Sequence, residues 1–270
     1  MRIGSPAWST ADGNKRETAL TMTDSLVKLI GWSATVLQGD PTTYDRWKWL
    51  KRHLLPGSLR TLEAGCGSGA FTMYAAKIGN HALGISFNER NMQVAKTRSE
   101  ILHLDGIQFI VGDLRGLEQY SAGLGKFDQI ICFETIEHIL DDRKLVSDLA
   151  SLLHPGGRIL LTTPYKHYVP LYGDKLSEIE DGGHVRWGYT FEEVRKLFDE
   201  AGIDVVTEEY ISGYISQKIT NLIRKLGMRM PHPLVWAATL PLRMLIFLDV
   251  TFTNLIRYPY LSVGVVGVRR

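Results

Sequence analysis

The chain has 270 residues, 44% of them hydrophobic and 22% charged, and a formal net charge of +2. That length suits one large domain with appendages or two small ones, and the near-neutral balance excludes a protein whose main task is to coat nucleic acid. The two cysteines, Cys66 and Cys132, are too few for a disulfide framework, and each closes an apolar run, so both read as small buried thiols of a reducing compartment.

Residues 1 to about 40 show little sustained pattern apart from a helix around Met22 to Ile30. No basic start followed by a continuous apolar core marks a secretory signal, and a cytoplasmic location is expected. From Tyr44 to Leu55 the apolar residues Tyr44, Trp47, Leu50, Leu54 and Leu55 recur at helical spacing until Pro56-Gly57 closes the segment. Residues 1–56 are therefore expected to form an N-terminal helical cap on a domain spanning 57–270.

Beyond this point short apolar runs alternate with helix-like stretches. The runs Arg60–Ala64, His81–Ser86, Ile107–Gly112, Phe127–Phe133 and Arg158–Thr163 read as buried strands, and Phe71–Ile78, Glu89–Leu102 and Asp141–Leu153 as helices between them. Alternation at this pitch predicts a parallel sheet with helices on both faces, an α/β doubly wound fold. Gly156-Gly157 reads as the turn into the fifth strand. After Pro164 comes an aromatic, polar loop to Tyr189; Thr190 then caps a helix over Phe191–Ala201, with Glu193 completing a capping box. Ile203–Ile211 and Tyr260–Val268 read as two further strands, separated by an apolar and basic helical insertion at 215–258.

The most informative segment is Leu62-Glu63-Ala64-Gly65-Cys66-Gly67-Ser68-Gly69, a glycine loop between a strand and a helix. Its spacing is not the Gly-x-Gly-x-x-Gly of a pyrophosphate site, and no Gly-Lys-Ser/Thr phosphate loop is present. The acidic Glu63 before the turn suits a cationic ligand better than a phosphate. With this loop the chain resembles the class I S-adenosylmethionine-dependent methyltransferases, over roughly Arg60 to Val206 and the closing strand. Three further marks follow in the family's order: Gly112-Asp113-Leu114 after the third strand, Phe127-Asp128 opening the fourth and leading to Glu134-Thr135-Ile136-Glu137-His138, and Leu153-His154-Pro155-Gly156-Gly157 before the fifth.

The resemblance implies a Rossmann-like seven-stranded sheet of order 3-2-1-4-5-7-6 with an antiparallel last strand. It implies S-adenosylmethionine as cofactor and S-adenosylhomocysteine as product. Gly65, Cys66, Gly67 and Gly69 would lie along the methionine part, and Glu63 would order its amino end. Asp113 would accept from the adenine amino group, Leu114 would donate a backbone N–H, and Glu134 would line the site near the sulfonium. One position departs from the family. The second strand ends in Ser86, where relatives usually carry an acid on the ribose hydroxyls. A hydroxyl makes a weaker hydrogen bond than a carboxylate, so either affinity is lower or Asn88 or Glu89 replaces part of that contact.

Methyl transfer needs nucleophile, methyl and sulfur held in line, and an alcohol or phenol acceptor also needs a base. The family has no universal base. His138, in the Glu-His pair, and His184, in Gly182-Gly183-His184-Val185-Arg186-Trp187-Gly188-Tyr189, are the catalytic candidates; a structural or loop histidine bonded to backbone is the plainer reading of each. Tyr165, His167, Trp187 and Tyr189 are candidate acceptor contacts. The histidines are scattered, and no metal site is expected.

From Tyr214 to Arg270 there are eight basic residues and one acid, Asp249, about +7 for that segment. Ile215, Ile219, Leu222, Ile223 and Leu226 share one helical face. The insertion is expected to be packed embellishment, a lid over an apolar acceptor, or a surface dipping into an anionic membrane. The leading reading is O-methylation of a small, partly apolar acceptor: a phenol or quinone-like ring, a lipid-linked sugar or a secondary metabolite. Carbon methylation of a prenyl or polyketide acceptor and a non-catalytic partner that keeps the fold are the rivals. A nucleic-acid partner is not expected.

Overall fold

A computed structural model describes residues 22–270; the first part of the expected cap, residues 1–21, lies outside the described residues. Three helices open the chain: α1 (Met22–Ile30), α2 (Ser33–Leu37) and α3 (Pro41–His53). Asp40 starts α3 by accepting from Thr43 N at 3.0 Å, with Pro41 at the first helical position. The remaining elements are β1 (Arg60–Ala64), α4 (Ala70–Lys77), β2 (His81–Ser86), α5 (Glu89–Ile101), β3 (Ile107–Val111), β4 (Phe127–Phe133), α6 (Asp142–Leu152), β5 (Leu153–Pro164), α7 (Phe191–Glu200), β6 (Ile203–Ile211), α8 (Tyr214–Gly227), α9 (His232–Arg243), α10 (Asp249–Ile256) and β7 (Ser262–Arg269).

The seven strands form one sheet of order β3-β2-β1-β4-β5-β7-β6. Strands β1 to β5 run parallel, and β7 is antiparallel to both β5 and β6. Burial on both faces explains the continuous apolar text of the central strands: Leu62, Ile130, Ile131, Leu160 and Leu161 are fully buried. The order reverses between β1 and β4, and it is beyond the carboxyl ends of the strands at such a switch point that doubly wound sheets place their ligands.

One expectation needed correction. The fifth strand begins at Leu153, not Arg158, because Leu153 already pairs with Phe127 before a register shift in that ladder. Gly156, at φ +77°, makes its irregularity inside the strand rather than before it. The described part of the helical cap packs on the sheet. Trp49 and Leu50 of α3 are buried in one core cluster with Phe71, Phe133, Ile211 and Val266, so α3 covers a sheet face. The Gln129 side chain of β4 accepts from Leu55 N at 2.8 Å and donates to Leu55 O at 3.0 Å, stitching the expected boundary shut.

The insertion is three helices with a 3-10 segment, Met244–Leu248, between α9 and α10. The segment Met228–Pro231 separates α8 from α9. The face of α8 that is buried, however, is the one carrying Ser216, Gln217, Ile219 and Thr220, while Leu222 is exposed. Helical periodicity located an apolar stripe correctly and could not say that the neighbours of α8 would engage its polar side.

Candidate active site

The chain leaves β1 through Gly65, Gly67 and Gly69, at φ +82°, +50° and +77°. At Gly65 a Cβ would stand 2.3 Å from Thr135 Oγ1, so the turn after β4 lies directly against this loop. At Gly67 nothing lies within 4 Å of where a Cβ would be. Its backbone therefore presents an open face, the form a loop takes to receive a ligand. The backbone N–H groups of Gly65 and Cys66 both donate to Ile85 O at 2.9 Å, fixing the loop to β2.

Glu63 is buried behind the loop. Its Oε2 accepts from Thr72 N at 2.6 Å and from Thr72 Oγ1. Burial pushes its carboxyl up to about 7, against the opposing effect of those two donors. Burial also raises the Cys66 thiol, which makes Cys66 a wall of the loop rather than a nucleophile.

At the end of β2, Ser86 is buried and its Oγ accepts from Asn88 N at 3.3 Å. Asn88 is committed elsewhere, since its Oδ1 caps α5 by accepting from Asn91 N at 3.0 Å. Beyond β3, Asp113 is not free. It accepts from Arg115 N at 3.0 Å and from Arg115 Nε at 2.9 Å, and the Arg115 hydrogen bonds hold its carboxyl below the usual range. Leu114 is buried beside a cavity of about 250 Å3 lined by Arg115, Ile139, Leu140 and Glu180. A larger depression of about 750 Å3 lies against α5 and β3, lined by Lys96, His103 and Gln108, away from the glycine loop.

The other side of the candidate site follows β4. Glu134 sits at φ +47°, a strained conformation for a residue with a side chain. Both carboxylate oxygens are engaged: Thr162 Oγ1 donates to Oε1 at 3.0 Å, and Arg46 Nη1 of α3 lies 3.3 Å from Oε2. Glu137 is fully buried, with Oε2 accepting from Thr163 Oγ1 at 3.2 Å. Its Oε1 has no hydrogen-bond partner among the described residues and stands 3.9 Å from His138 Nε2. Burial, with the Glu134 charge beside it, raises Glu137 well above the ordinary carboxylate range.

The loop from Tyr165 to Tyr189 closes over this side. Val185 N donates to Glu137 O at 2.9 Å, Glu180 Oε1 accepts from Leu140 N at 2.6 Å, and Arg115 reaches Glu180 at 3.4 Å. His138 Nδ1 lies 3.0 Å from Gly183 O. A carbonyl can only accept, so Nδ1 carries the proton and Nε2 is left with a lone pair. His184 packs edge-on against His138, ring centroids 4.7 Å apart, and burial followed by the neighbouring His138 lowers its pKa. Glu137, His138 and His184 offer ligand atoms within 4.8 Å of one another, a spacing a divalent cation could bridge. Reading the sequence for helical His pairs could not find this set, because a loop brings His184 back over the 3-10 turn at Ile136–His138.

The expected acceptor contacts divide. Trp187 packs on Tyr168 under the loop. Tyr165 and His167 contact each other, and Tyr165 also meets Tyr210 of β6, so their ring contacts lead away from the histidine pair. Tyr189 is a core residue instead: 4% exposed, its hydroxyl donates to Asp142 Oδ2 at 2.6 Å and accepts from Arg186 at 2.7 Å. The reading of Tyr189 as an acceptor contact is corrected accordingly. Arg46 and Arg115 were missed, and no local pattern marks either of them.

A family model described as a methyltransferase domain matches residues 57–220. Among curated proteins the chain is similar to a ubiquinone biosynthesis O-methyltransferase of Aromatoleum aromaticum, 30% identical over 125 residues, which is 46% of this chain and 51% of that protein. The protein of the same name from Coxiella burnetii is 27% identical over 123 residues, again 46% and 51%. The chain thus spans about half the length of the curated relatives it matches. Among solved structures it shares its fold with coclaurine N-methyltransferase bound to N-methylheliamine and S-adenosylhomocysteine (TM-score 0.57, 15% identity, covering 82% and 71% of the two chains). A putative sarcosine dimethylglycine methyltransferase from Galdieria sulphuraria is comparable (TM-score 0.55, 18% identity, 84% of each).

Proposed function

We propose that this chain, which belongs to the methyltransferase domain family, transfers the methyl group of S-adenosylmethionine to a hydroxyl of a small, partly apolar acceptor. The cofactor supplies, when bound, a methyl on a positively charged sulfur, so the protein's task is alignment, exclusion of water and removal of one proton. The residues at the ends of β1 to β3 fit such a ligand: an open backbone face at Gly67, a buried carboxyl at Glu63, a hydroxyl at Ser86 and a carboxylate at Asp113. Arg115 would have to share Asp113 with the adenine amino group.

The observation that carries the oxygen-directed reading is the fixed tautomer of His138. Its Nδ1–H is held by Gly183 O, so the proton of an acceptor hydroxyl can pass to Nε2 as the oxygen takes up the methyl. The unpartnered Glu137 Oε1 is the group an imidazolium at His138 would turn toward. His184, with its pKa lowered, stays neutral beside it and does not oppose the incoming proton with a charge of its own. The relatives named as ubiquinone biosynthesis O-methyltransferases support a phenol-like acceptor.

The test is to incubate the protein with carbon-13 methyl-labelled S-adenosylmethionine and a panel of catechols and phenols with and without prenyl chains. Mass and carbon NMR then locate the label. An O–CH3 product that His138→Gln no longer forms supports the reading. A C–CH3 product would replace it with carbon methylation. No product from any acceptor, with S-adenosylhomocysteine still bound, would favour a non-catalytic partner.

A further inference from the structure

The helical insertion is built inside out. Its fully or nearly fully buried positions include the polar residues Ser216, Gln217, Thr220, Thr239, Asp249 and Thr253, whereas Leu234, Leu240, Met244, Phe247, Val250 and Leu255 are exposed. Phe247 and Leu255 are each 77% exposed and Met244 73%. In water this exchange is unfavourable on both counts: large apolar surface stays wet, and polar groups lose hydration.

Several of the buried polar groups tie the helices of the insertion to one another and to the chain that flanks them, while the Ser216 and Thr220 hydroxyls have no hydrogen-bond partner among the described residues. Asp249 accepts from Gly213 N at 2.7 Å and Ile215 N at 2.6 Å, and Thr253 Oγ1 from Tyr214 N at 2.8 Å, all at the start of α8. Gln217 donates to Ser212 O at 3.2 Å and Pro259 O at 2.8 Å. Arg243, the other charged residue in the stretch His232–Ile256, donates to Leu37 O and Gly39 O at 2.8 and 2.6 Å. Both charges of that stretch therefore face the protein. The outer face carries none, and is interrupted only by small uncharged groups such as Thr251 and Asn254.

His232–Ile256 is long and apolar enough to cross a bilayer by length and composition. Its buried residues Val235, Thr239, Ile246, Asp249 and Thr253 are spaced so as to form one stripe, packed on the body, and this suits a segment lying in the interface plane rather than a span surrounded by lipid. The charges that flank it in sequence have one sign. Arg229 and Arg257, beyond its two ends, are exposed and have no carboxylate partner among the described residues, and the only acid from Tyr214 onward is the buried Asp249. The insertion also adjoins the covering loop, since Tyr172 N donates to Asn221 Oδ1 at 2.6 Å. The family model ends at residue 220, so this surface belongs to the chain rather than to the shared domain.

We propose that the outer face of 232–256 seats in the headgroup–acyl boundary of an anionic bilayer, with Phe247 and Leu255 entering the apolar layer and Arg229 and Arg257 on anionic headgroups. The binding is independent of methyl transfer and is tested without an acceptor. The full chain is sedimented with vesicles of phosphatidylcholine alone or of phosphatidylcholine mixed with phosphatidylglycerol, at low and high salt. Wild-type protein is expected to pellet with the mixed vesicles, more weakly with phosphatidylcholine, and less as salt rises.

The double variant Phe247→Ser/Leu255→Ser should partition at least about tenfold more weakly into either vesicle, with its S-adenosylhomocysteine affinity and unfolding midpoint unchanged. Arg229→Glu/Arg257→Glu should abolish the preference for the mixed vesicles. Failure of the wild type to pellet with either vesicle overturns the proposal. So does a concentration-dependent dimer that the serine variants dissociate while vesicle binding stays the same, because a second copy of the chain would then cover the face.

Discussion

The two sides of the candidate site are built by different means. Around β1 to β3 the site is made of backbone conformation and near neighbours: Gly65 to Gly69 are consecutive, and Asp113 is held by Arg115 two residues on. Around β4 and β5 it is made by convergence. Arg46 comes from α3, Glu134 to His138 from the turn after β4, Thr162 and Thr163 from β5, and Gly183 and His184 from the covering loop. A side formed by backbone shape should lose folding and cofactor affinity when altered. A side formed by converging side chains should lose turnover.

The strongest way to break this contrast is His138→Ala. Removal of a general base typically costs about 10²- to 10⁴-fold in kcat, while S-adenosylhomocysteine affinity should stay within about twofold. Calorimetry and initial rates on the same preparation decide it; a parallel fall of both would mean that the two sides are one unit. Gly65→Ala should show the opposite pattern. The new Cβ meets Thr135 Oγ1 at a backbone angle alanine resists, so a loss on the order of 3 kcal/mol in unfolding free energy is expected. Gly67→Ala sharpens the comparison, since it faces open space and should cost only about 1 kcal/mol while weakening ligand binding more than stability.

The same contrast explains what could be read from the sequence. The strands, the glycine loop and the positions of Ser86 and Asp113 lie in short stretches whose spacing is fixed by β–turn–α geometry, and these were legible, whereas the strand order came with the family resemblance. The partner of Asp113 was not, because Arg115 follows a turn whose geometry no motif specifies. The His138–His184 pair depends on the path of a loop without repeating pattern. Tyr189 looked like a site residue because it stands in an aromatic, glycine-containing loop, yet its bridge to Tyr165 turns it inward onto Asp142. The buried side of α8 was left open for a related reason. Periodicity gives the direction of an apolar stripe but carries no information about whether water, protein or lipid lies on the far side.

Glu63 tests the cofactor side by pH. Its folded pKa is raised from 4.5 to about 7, so its contribution to stability is fully present below about 4.5 and is lost as pH rises through about 7. Glu63→Gln removes that titration. Without cofactor, the variant and wild type should be equally stable in acid, and the variant should become the more stable by at most on the order of 3 kcal/mol above pH 7. Denaturant unfolding across this range measures the difference. S-adenosylhomocysteine, whose ammonium would give an ionised Glu63 a partner, should narrow the gap; a difference independent of pH would mean that the carboxyl is not desolvated.

The smallest effect belongs to Tyr189→Phe, which asks whether a residue of the acceptor side can be purely structural. The hydroxyl bridges Asp142 and Arg186, and those two remain paired with each other when it is removed. Neither charge is left alone in the interior, so the cost should be that of one buried hydrogen bond, about 1 kcal/mol, with kcat within about twofold of wild type. The ring itself keeps its place in the core beside Ile136, Val194 and Phe198. A large fall in kcat at unchanged stability would return Tyr189 to the acceptor site and would show that the covering loop rearranges when the acceptor binds.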